Sequence, residues 1–382
     1  MMLLHQKKDL PSLAWRFAFA VIVAIALPAC QSQTETPIAS ESETPSIDEN
    51  GIATGDTSKM RVALSMSFVE GSSYRKTMVE SFEKAATSAR QKGFLSDFTI
   101  LDAGGNTETQ AAQIQQLIAE KYDAIILNPN SVSELNDVVK SACDAGIIAI
   151  DFDNEVTEPC AYSINTVWNH YGAVQGNYIG TRLKQGNILE IRGAKGTTGD
   201  TDISSAIHAS LAQFPGLKVV DAVHGNWTQE LAQKEVTAIL PSLPKIDAVV
   251  TQGGDGYGTA LAFAQSDRPL PIIIMGNRYD ELKWWQEQRD AKGYKTISAS
   301  ATPGMSAVAL WTAQQVFAGK EVPKFIELPV LVIEEEDLDA WLSITPENGV
   351  ANADYTLEWT VELIEAHIAD TPLPSPPVPD PS

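Results

Sequence analysis

The chain has 382 residues, a formal net charge of −22 at pH 7 and 44% hydrophobic residues. That length suits two lobes plus tails, and the apolar fraction can fill sizeable cores. So acidic a chain repels phosphate, which excludes nucleic acid as a partner.

Lys7, Lys8 and Arg16 accompany an apolar run from Phe17 to Leu27 that is too short to span a bilayer as a helix. Residues 1–29 therefore read as a signal peptide. Leu27-Pro28-Ala29-Cys30 resembles a bacterial lipobox, although Pro28 is a less usual residue there; Cys30 is the expected lipid-attachment site. The expected location is extracytoplasmic, in the periplasm or at the cell surface, with the protein lipid-anchored to the membrane. Residues 30–59 hold few large apolar side chains and read as a disordered tether. Residues 367–382, ending in TPLPSPPVPDPS, read as a Pro-rich tail. An exported location permits disulfides. A bridge between Cys143 and Cys160 is expected, with two separate buried thiols as the alternative.

From Met60 onward, strand-length apolar runs alternate with segments of helical periodicity. RVALSMSF (61–68) precedes a helix over 77–91, and FTILDA, TQAAQIQQLIAEK, DAIILNPN, SELNDVVKSACDAG and IIAIDFDN continue the pattern. Runs such as AIIL and IIAI are apolar without alternation, as expected of parallel strands covered on both faces. A second series follows: helix 171–184, strand 187–193, helix 202–213, strand 217–223, helix 228–240, strand 247–254, helix 257–265, strand 271–277, helix 280–288 and strand 296–300. Helix 304–318 and a strand over 327–333 come last. The pattern predicts an α/β protein of two doubly wound parallel-sheet lobes joined by a hinge, with a crossing near Asn165. Residues 60–165 and 300–330 are assigned to the N-terminal lobe, and 166–299 and 331–366 to the C-terminal lobe.

In such sheets ligands bind beyond the carboxyl ends of the strands, and two facing lobes enclose a cleft between them. The residues after each strand are therefore the candidates: Tyr74 and Arg75, Asn128, Asp153 and Asn154 in the first lobe, and Trp227, Asp255, Asn277 and Arg278 in the second. Carboxylates and amides bond neighbouring hydroxyls, and flat rings cover the C–H face of a sugar. This chemistry suits a small polyhydroxylated ligand. Each residue also has a plainer reading, with Asn128-Pro129 as turn chemistry, Asp153 as a cap and Trp227 as packing between lobes.

From about Arg61 to Ile333 the sequence resembles the ribose-binding-protein-like (type I periplasmic) substrate-binding proteins of bacterial ABC transporters. SSYRKTMVESFEKAA, YDAIILNPNSVSELNDVVKSACDAGIIAIDFDNEVTEPCAYSI, GNWTQELAQKEVTAILPSLPKIDAVVTQGG and PGMSAVAL carry the resemblance. It implies a monomer that captures a sugar, polyol or sugar acid and delivers it to an ABC transporter permease, with no cofactor. It also implies that Tyr74 is a ring-stacking aromatic, that Asn128 and Asp153 are polar positions of the first lobe, and that Trp227 is the second-lobe aromatic. The Cys143/Cys160 pair recurs in the close subgroup. Three positions depart from the pattern: Ile203 stands for an Arg, Gly253 for an Asn and Arg278 for an Asp. Asp255, Asn277 and Arg278 are the candidate replacements. In the cleft, Arg278 would favour an anionic ligand such as a sugar acid; a pairing with Asp255 or Asp280 is the alternative.

The histidines His5, His170, His208, His224 and His367 show no metal or triad spacing, and QGGDGYG is not a G-x-G-x-x-G loop. No catalytic residue and no metal are expected. The alternative function is a sensor that presents its ligand to a membrane receptor kinase or chemoreceptor.

Overall fold

Central strands buried on both faces, more exposed edge strands and covering helices build each lobe. The structure, a computed structural model, describes residues 46–379. The expected signal peptide, Cys30 and the first part of the expected tether lie outside the described residues, as do residues 380–382.

The first lobe opens with β1 (Arg61–Met66), α1 (Ser73–Gln91), β2 (Asp97–Asp102), α2 (Thr107–Ala119), β3 (Ala124–Asn128), α3 (Asn136–Asp144), β4 (Ile148–Phe152) and β5 (Tyr162–Thr166). The chain then crosses into α4 (Trp168–Leu183), β6 (Gly186–Arg192), α5 (Thr198–Leu211), β7 (Leu217–His224), α6 (Gln229–Ile239), β8 (Ala248–Val250), α7 (Gly256–Ala264), β9 (Ile272–Ile273), α8 (Tyr279–Lys292) and β10 (Ser298–Ser300). Last come α9 (Met305–Phe317), β11 (Phe325–Leu328), β12 (Leu331–Ile333), α10 (Leu338–Ile344) and α11 (Leu357–Ala369).

The first sheet runs β11-β5-β4-β3-β1-β2, parallel throughout. The second runs β7-β6-β8-β9, also parallel. A parallel bridge between Met275 and Ser298 continues it into β10, with β12 antiparallel at the edge. β3 is buried at every position and β4 at all but its first, which explains their unbroken apolar runs. α9 is buried from Met305 to Gln315 and packs against α1 and the strands of the first sheet. It reads as apolar on all sides because it is covered on all sides.

The apolar run ELPVLVI is not one strand. Pro329 and Val330 separate β11, on the first sheet, from β12, on the second. A proline has no N–H to give to a ladder, so the run breaks there and the chain changes lobe. The assignment of 331–366 to the second lobe also needs correction. α10 packs on α8, but α11 returns to the first lobe against α9 and β11. Among the described residues the chain therefore passes between lobes four times: after β5, after β10, after β11 and after α10.

The expected tether ends earlier than residue 59. Asp48 caps a turn by accepting from the amides of Asn50 and Ile52, and Ile47 bridges to the buried Ala53. Ala53 N–H donates to Gln315 Oε1 at 2.8 Å, and the buried Lys320 ammonium donates to Gly51 O at 2.7 Å and to Glu365. Residues 46–59 are thus held to α9 and α11 because buried amides and an ammonium there need partners. At the other end, the tail does not begin at 367. α11 continues to Ala369, and Trp359 Nε1 donates to Ser375 O at 2.9 Å. Cys143, on α3, and Cys160, in the loop before β5, are joined in a disulfide.

Candidate functional site

The carboxyl ends of both sheets open on one cavity of about 500 Å³. Its first-lobe wall comes from Phe68, Gly71, Ser72, Tyr74 and Arg75 after β1 and from Asp153 and Asn154 after β4. Trp168 and Tyr171 line it where α4 leaves the crossing. The second-lobe wall comes from Gly199 and Ile203 on α5, Asn226 to Thr228 after β7, Gln252 to Gly254 after β8, Asn277 and Arg278 after β9, and Ser300 and Ala301.

Tyr74 and Arg75 lie in the first turn of α1, not in a loop. The helix begins earlier than its apolar spacing predicts because Ser72 Oγ caps it, accepting from Arg75 N at 3.3 Å. The Arg75 guanidinium lies 4.1 Å over the Phe68 ring and donates to Ser67 Oγ and Asn128 Oδ1. Asn128 Nδ2 donates to Asp153 Oδ2 at 3.2 Å. Asn128 is fully buried and does not line the cavity. It sets the positions of Arg75 and Asp153 rather than facing the cavity itself. Asp153 has φ +66°, a left-handed backbone that an aspartate tolerates better than most residues. Burial raises its pKa, opposed by Arg75 and by the Asn128 hydrogen bond. The Tyr74 hydroxyl is buried without a hydrogen-bond partner among the described residues, and burial together with the nearby Asp153 holds its pKa well above the usual phenol value.

In the second lobe, Asn226 and Trp227 both have positive φ, +52° and +58°. Two consecutive non-glycine residues there hold about 1–3 kcal/mol of strain each, of the kind that clusters at binding sites. Gly193 makes room for the indole, since a Cβ there would sit 2.2 Å from the Trp227 ring. Gln252 Nε2 donates to Asp200 O at 2.9 Å, and Arg192 makes a two-point ion pair with Asp200, with Nη2 to Oδ2 at 2.8 Å. These contacts fix the start of α5, the helix that carries Gly199 and Ile203. Ile203 thus lines the cavity as an apolar contact where the resemblance led one to expect an arginine.

Asn277 is almost fully buried and anchors the last crossing, its Nδ2 donating to Ala351 O at 2.9 Å. Arg278 reaches across the cleft: Nη1 donates to Ser73 Oγ on α1 at 2.5 Å, and Nη2 to Trp227 O at 3.2 Å. Among the described residues it has no ion pair within 4.0 Å, so the pairing with Asp255 or Asp280 is not formed.

Asp255 needs correction as a wall residue. It is wholly buried behind the cavity, and neither carboxylate oxygen has a hydrogen-bond partner among the described residues. Burial, reinforced by Glu281 and opposed by Arg278, raises its pKa well above the ordinary range. Glu281, equally buried, is pushed up to about 6 by burial. Its Oε1 accepts from the amides of Gly256 and Gly276 at 2.9 Å each, and Oε2 from Arg278 N at 3.3 Å. A carboxyl whose folded pKa exceeds its unfolded value binds more protons when folded. Its contribution to stability is full below the unfolded pKa and is lost as pH rises through the folded one. Wild-type stability should therefore fall as pH rises above the unfolded values of 3.8 and 4.5, through about 6 for Glu281 and through the raised pKa of Asp255. In urea titrations Asp255→Asn should flatten that fall and raise the midpoint at pH 8; an unchanged pH slope would count against a strained Asp255.

Of the residues read from sequence, Tyr74, Arg75, Asp153, Asn154, Trp227, Asn277 and Arg278 come together around the cavity, whereas Asn128 and Asp255 stand behind it. Phe68, Trp168, Tyr171 and Ser300 were missed. Trp168 alone had a usable signal, a large aromatic directly after the crossing predicted near Asn165. Among the described residues no cluster of His, Cys, Asp or Glu is arranged to hold a metal ion, and no helix is long and apolar enough to cross a membrane.

Sequence and fold comparisons agree with this geometry. A D-ribose/D-allose-binding protein of Pseudomonas aeruginosa is 26% identical over 263 residues, 64% of this chain and 81% of that protein. A xylitol-binding protein of Mycolicibacterium smegmatis is 30% identical over 176 residues, 45% of this chain and 50% of that protein. The crystal structure of an ABC transporter solute-binding protein from Thermobispora bispora DSM 43833 is 31% identical, with a TM-score of 0.72, and the match covers 84% of this chain and 99% of that one. The periplasmic binding protein domain family matches residues 62–321. With two parallel-sheet lobes facing one cavity, the chain belongs to that family as a type I solute-binding protein.

Proposed function

We propose that this protein captures a small polyhydroxylated ligand, a sugar or a sugar derivative, outside the cytoplasm and passes it unchanged to an ABC transporter permease. The observation that carries this reading is the cavity itself. It has about 500 Å³ at the facing strand ends, with Tyr74, Trp168 and Trp227 as flat apolar walls and Asp153, Asn154, Asn226, Gln252 and Arg278 as hydrogen-bonding groups. Rings against C–H faces and carboxylates or amides against hydroxyls are how a polar ring is gripped in a water-poor site. The first and second lobes supply separate halves of that grip, so ligand contacts in both halves form only when the lobes are together. Such contacts shift the population toward closure. The lipobox-like sequence ending at Cys30 supports attachment of the folded body to a membrane surface by lipid, and a monomer is sufficient for all of these contacts.

A thermal-shift screen of the folded body against sugars, polyols and sugar acids tests the reading, because a ligand that binds only the folded state raises its melting temperature. At least one compound should raise the melting temperature, small-angle scattering should show compaction in its presence, and chromatography should recover it unaltered. A compound that was consumed, or a shape unchanged under saturating ligand, would contradict capture by closure.

A further inference from the structure

The charge of the cavity wall is uneven in a way that a neutral sugar does not need. Among the residues lining it, Arg75 and Arg278 are cations and Asp153 is the one carboxylate. Arg75 is already provided for. Its guanidinium bonds Asn128, which in turn bonds Asp153, so cation and carboxylate share one bridging amide in the first lobe. Arg278 has no carboxylate bonded to it in this way, although Asp255 and Glu281 behind it interact with its charge. Its bonds go to a serine hydroxyl and a backbone carbonyl, and its Nε is buried with no partner among the described residues. A guanidinium has five N–H donors in a planar fork; two are used and Nε is buried, which leaves capacity for an acceptor in one N–H on each of Nη1 and Nη2.

The acids behind Arg278 do not take up that capacity. Asp255 makes no side-chain hydrogen bond among the described residues, and burial favours its neutral form. Glu281 accepts from three backbone amides, those of Gly256, Gly276 and Arg278. Gly254 makes room for the guanidinium itself, since a Cβ there would come 2.7 Å from Arg278 Nε. Ile203 stands on the same second-lobe wall and offers hydroxyls nothing, so Arg278 is the one cation there among neutral polar groups such as Asn226 and Gln252.

Resting on the capture reading above, we infer that the ligand is a monocarboxylate of the sugar class, a uronate or an aldonate, whose carboxylate meets the Arg278 guanidinium while its hydroxylated carbons lie against Tyr74, Trp227 and Asp153. One guanidinium without a hydrogen-bonded carboxylate fits one negative charge, which separates this class from sugar phosphates. A carboxylate bound by a planar fork through two N–H groups is among the stronger polar contacts available to a protein. It would meet Arg278 where Ser73 now accepts from Nη1, at the seam between the lobes, so the same contact would contribute to closure.

Isothermal titration calorimetry with a panel of hexuronates and aldonates, their parent neutral hexoses and the matching hexose 6-phosphates tests the inference. The tightest acid should bind at least about tenfold more tightly than its neutral parent and its phosphate. That preference should shrink as NaCl is raised. In Arg278→Gln the acid-to-neutral ratio should fall to near one, with part of it kept in Arg278→Lys. Unliganded melting curves of both variants establish that they fold. A neutral hexose that bound as tightly as its acid, or a ratio that survived Arg278→Gln, would overturn the inference while leaving capture standing. Tightest binding of the phosphate would overturn the monocarboxylate class. If nothing in the panel bound, the acid assignment would fall, and the wider thermal screen would judge capture separately.

Discussion

Asp153→Ala is expected to weaken ligand binding by roughly a hundredfold, corresponding to ~3 kcal/mol for the loss of a charged hydrogen-bonding group. Asp153 is the one carboxylate on the cavity wall, and Asn128 and Arg75 hold it in place through the amide bridge. Two contributions can be separated. Alanine removes the carboxylate and also places a residue less suited to φ +66° at the turn. The Asp153→Asn variant keeps a side chain that tolerates this backbone and two hydrogen-bonding atoms, but not the charge. Its loss should therefore be smaller, about tenfold. Calorimetry with the tightest compound from the screen, alongside urea unfolding of the free variants, distinguishes lost contacts from a weakened fold. Undiminished affinity in Asp153→Ala would remove this carboxylate from the grip.

Gly172→Ala is expected to destabilise the protein by ~2–3 kcal/mol, the upper part of the range for overpacking a tight contact. The sign is what makes the test sharp, because the same change in an exposed helix interior stabilises by about 1 kcal/mol. Gly172, Gly176 and Gly180 form a stripe along α4 at four-residue spacing, and α5 lies directly on it. A Cβ at Gly172 would come within 2.2 Å of the Ala206 carbonyl, which is backbone and cannot turn aside. At Gly176 the obstacle would be Ser210 Oγ at 2.1 Å, and at Gly180 the Phe214 ring at 2.4 Å. The helices must separate to admit even one methyl group. α5 carries Gly199 and Ile203 to the cavity, so ligand affinity should fall along with the urea midpoint. A stabilised Gly172→Ala variant would mean that the two helices are not in close contact.

The central strands were legible because burial on both faces leaves an apolar run that no helix period explains, as in AIILN of β3. The same signal misled at 327–333. Apolar continuity marks burial but not which sheet does the burying, and only Pro329 hinted at the break. Strand ends were legible as the location of the site, yet sequence gives no direction for a side chain at a strand end. Asn128 and Asp255 were therefore grouped with Tyr74 and Trp227, although both sit behind the wall. The return of α11 to the first lobe and the docking of residues 46–59 depend on contacts far apart in sequence, such as Lys320 with Gly51, which no local pattern encodes. The glycine stripe of α4 was visible in YGAVQGNYIG as a repeat costly to an isolated helix, a sign that something packs close by.

The repeated passage of the chain between lobes has a consequence for biosynthesis. α9 lies beneath the first sheet, β11 forms its edge and α11 covers both, yet all three are translated after nearly the whole second lobe. The first lobe cannot finish its core until the chain has been made through Ala369, nor the second until α10 is complete, and pairings of such long sequence separation form slowly. The core of the first lobe therefore stays open at one edge for most of translation.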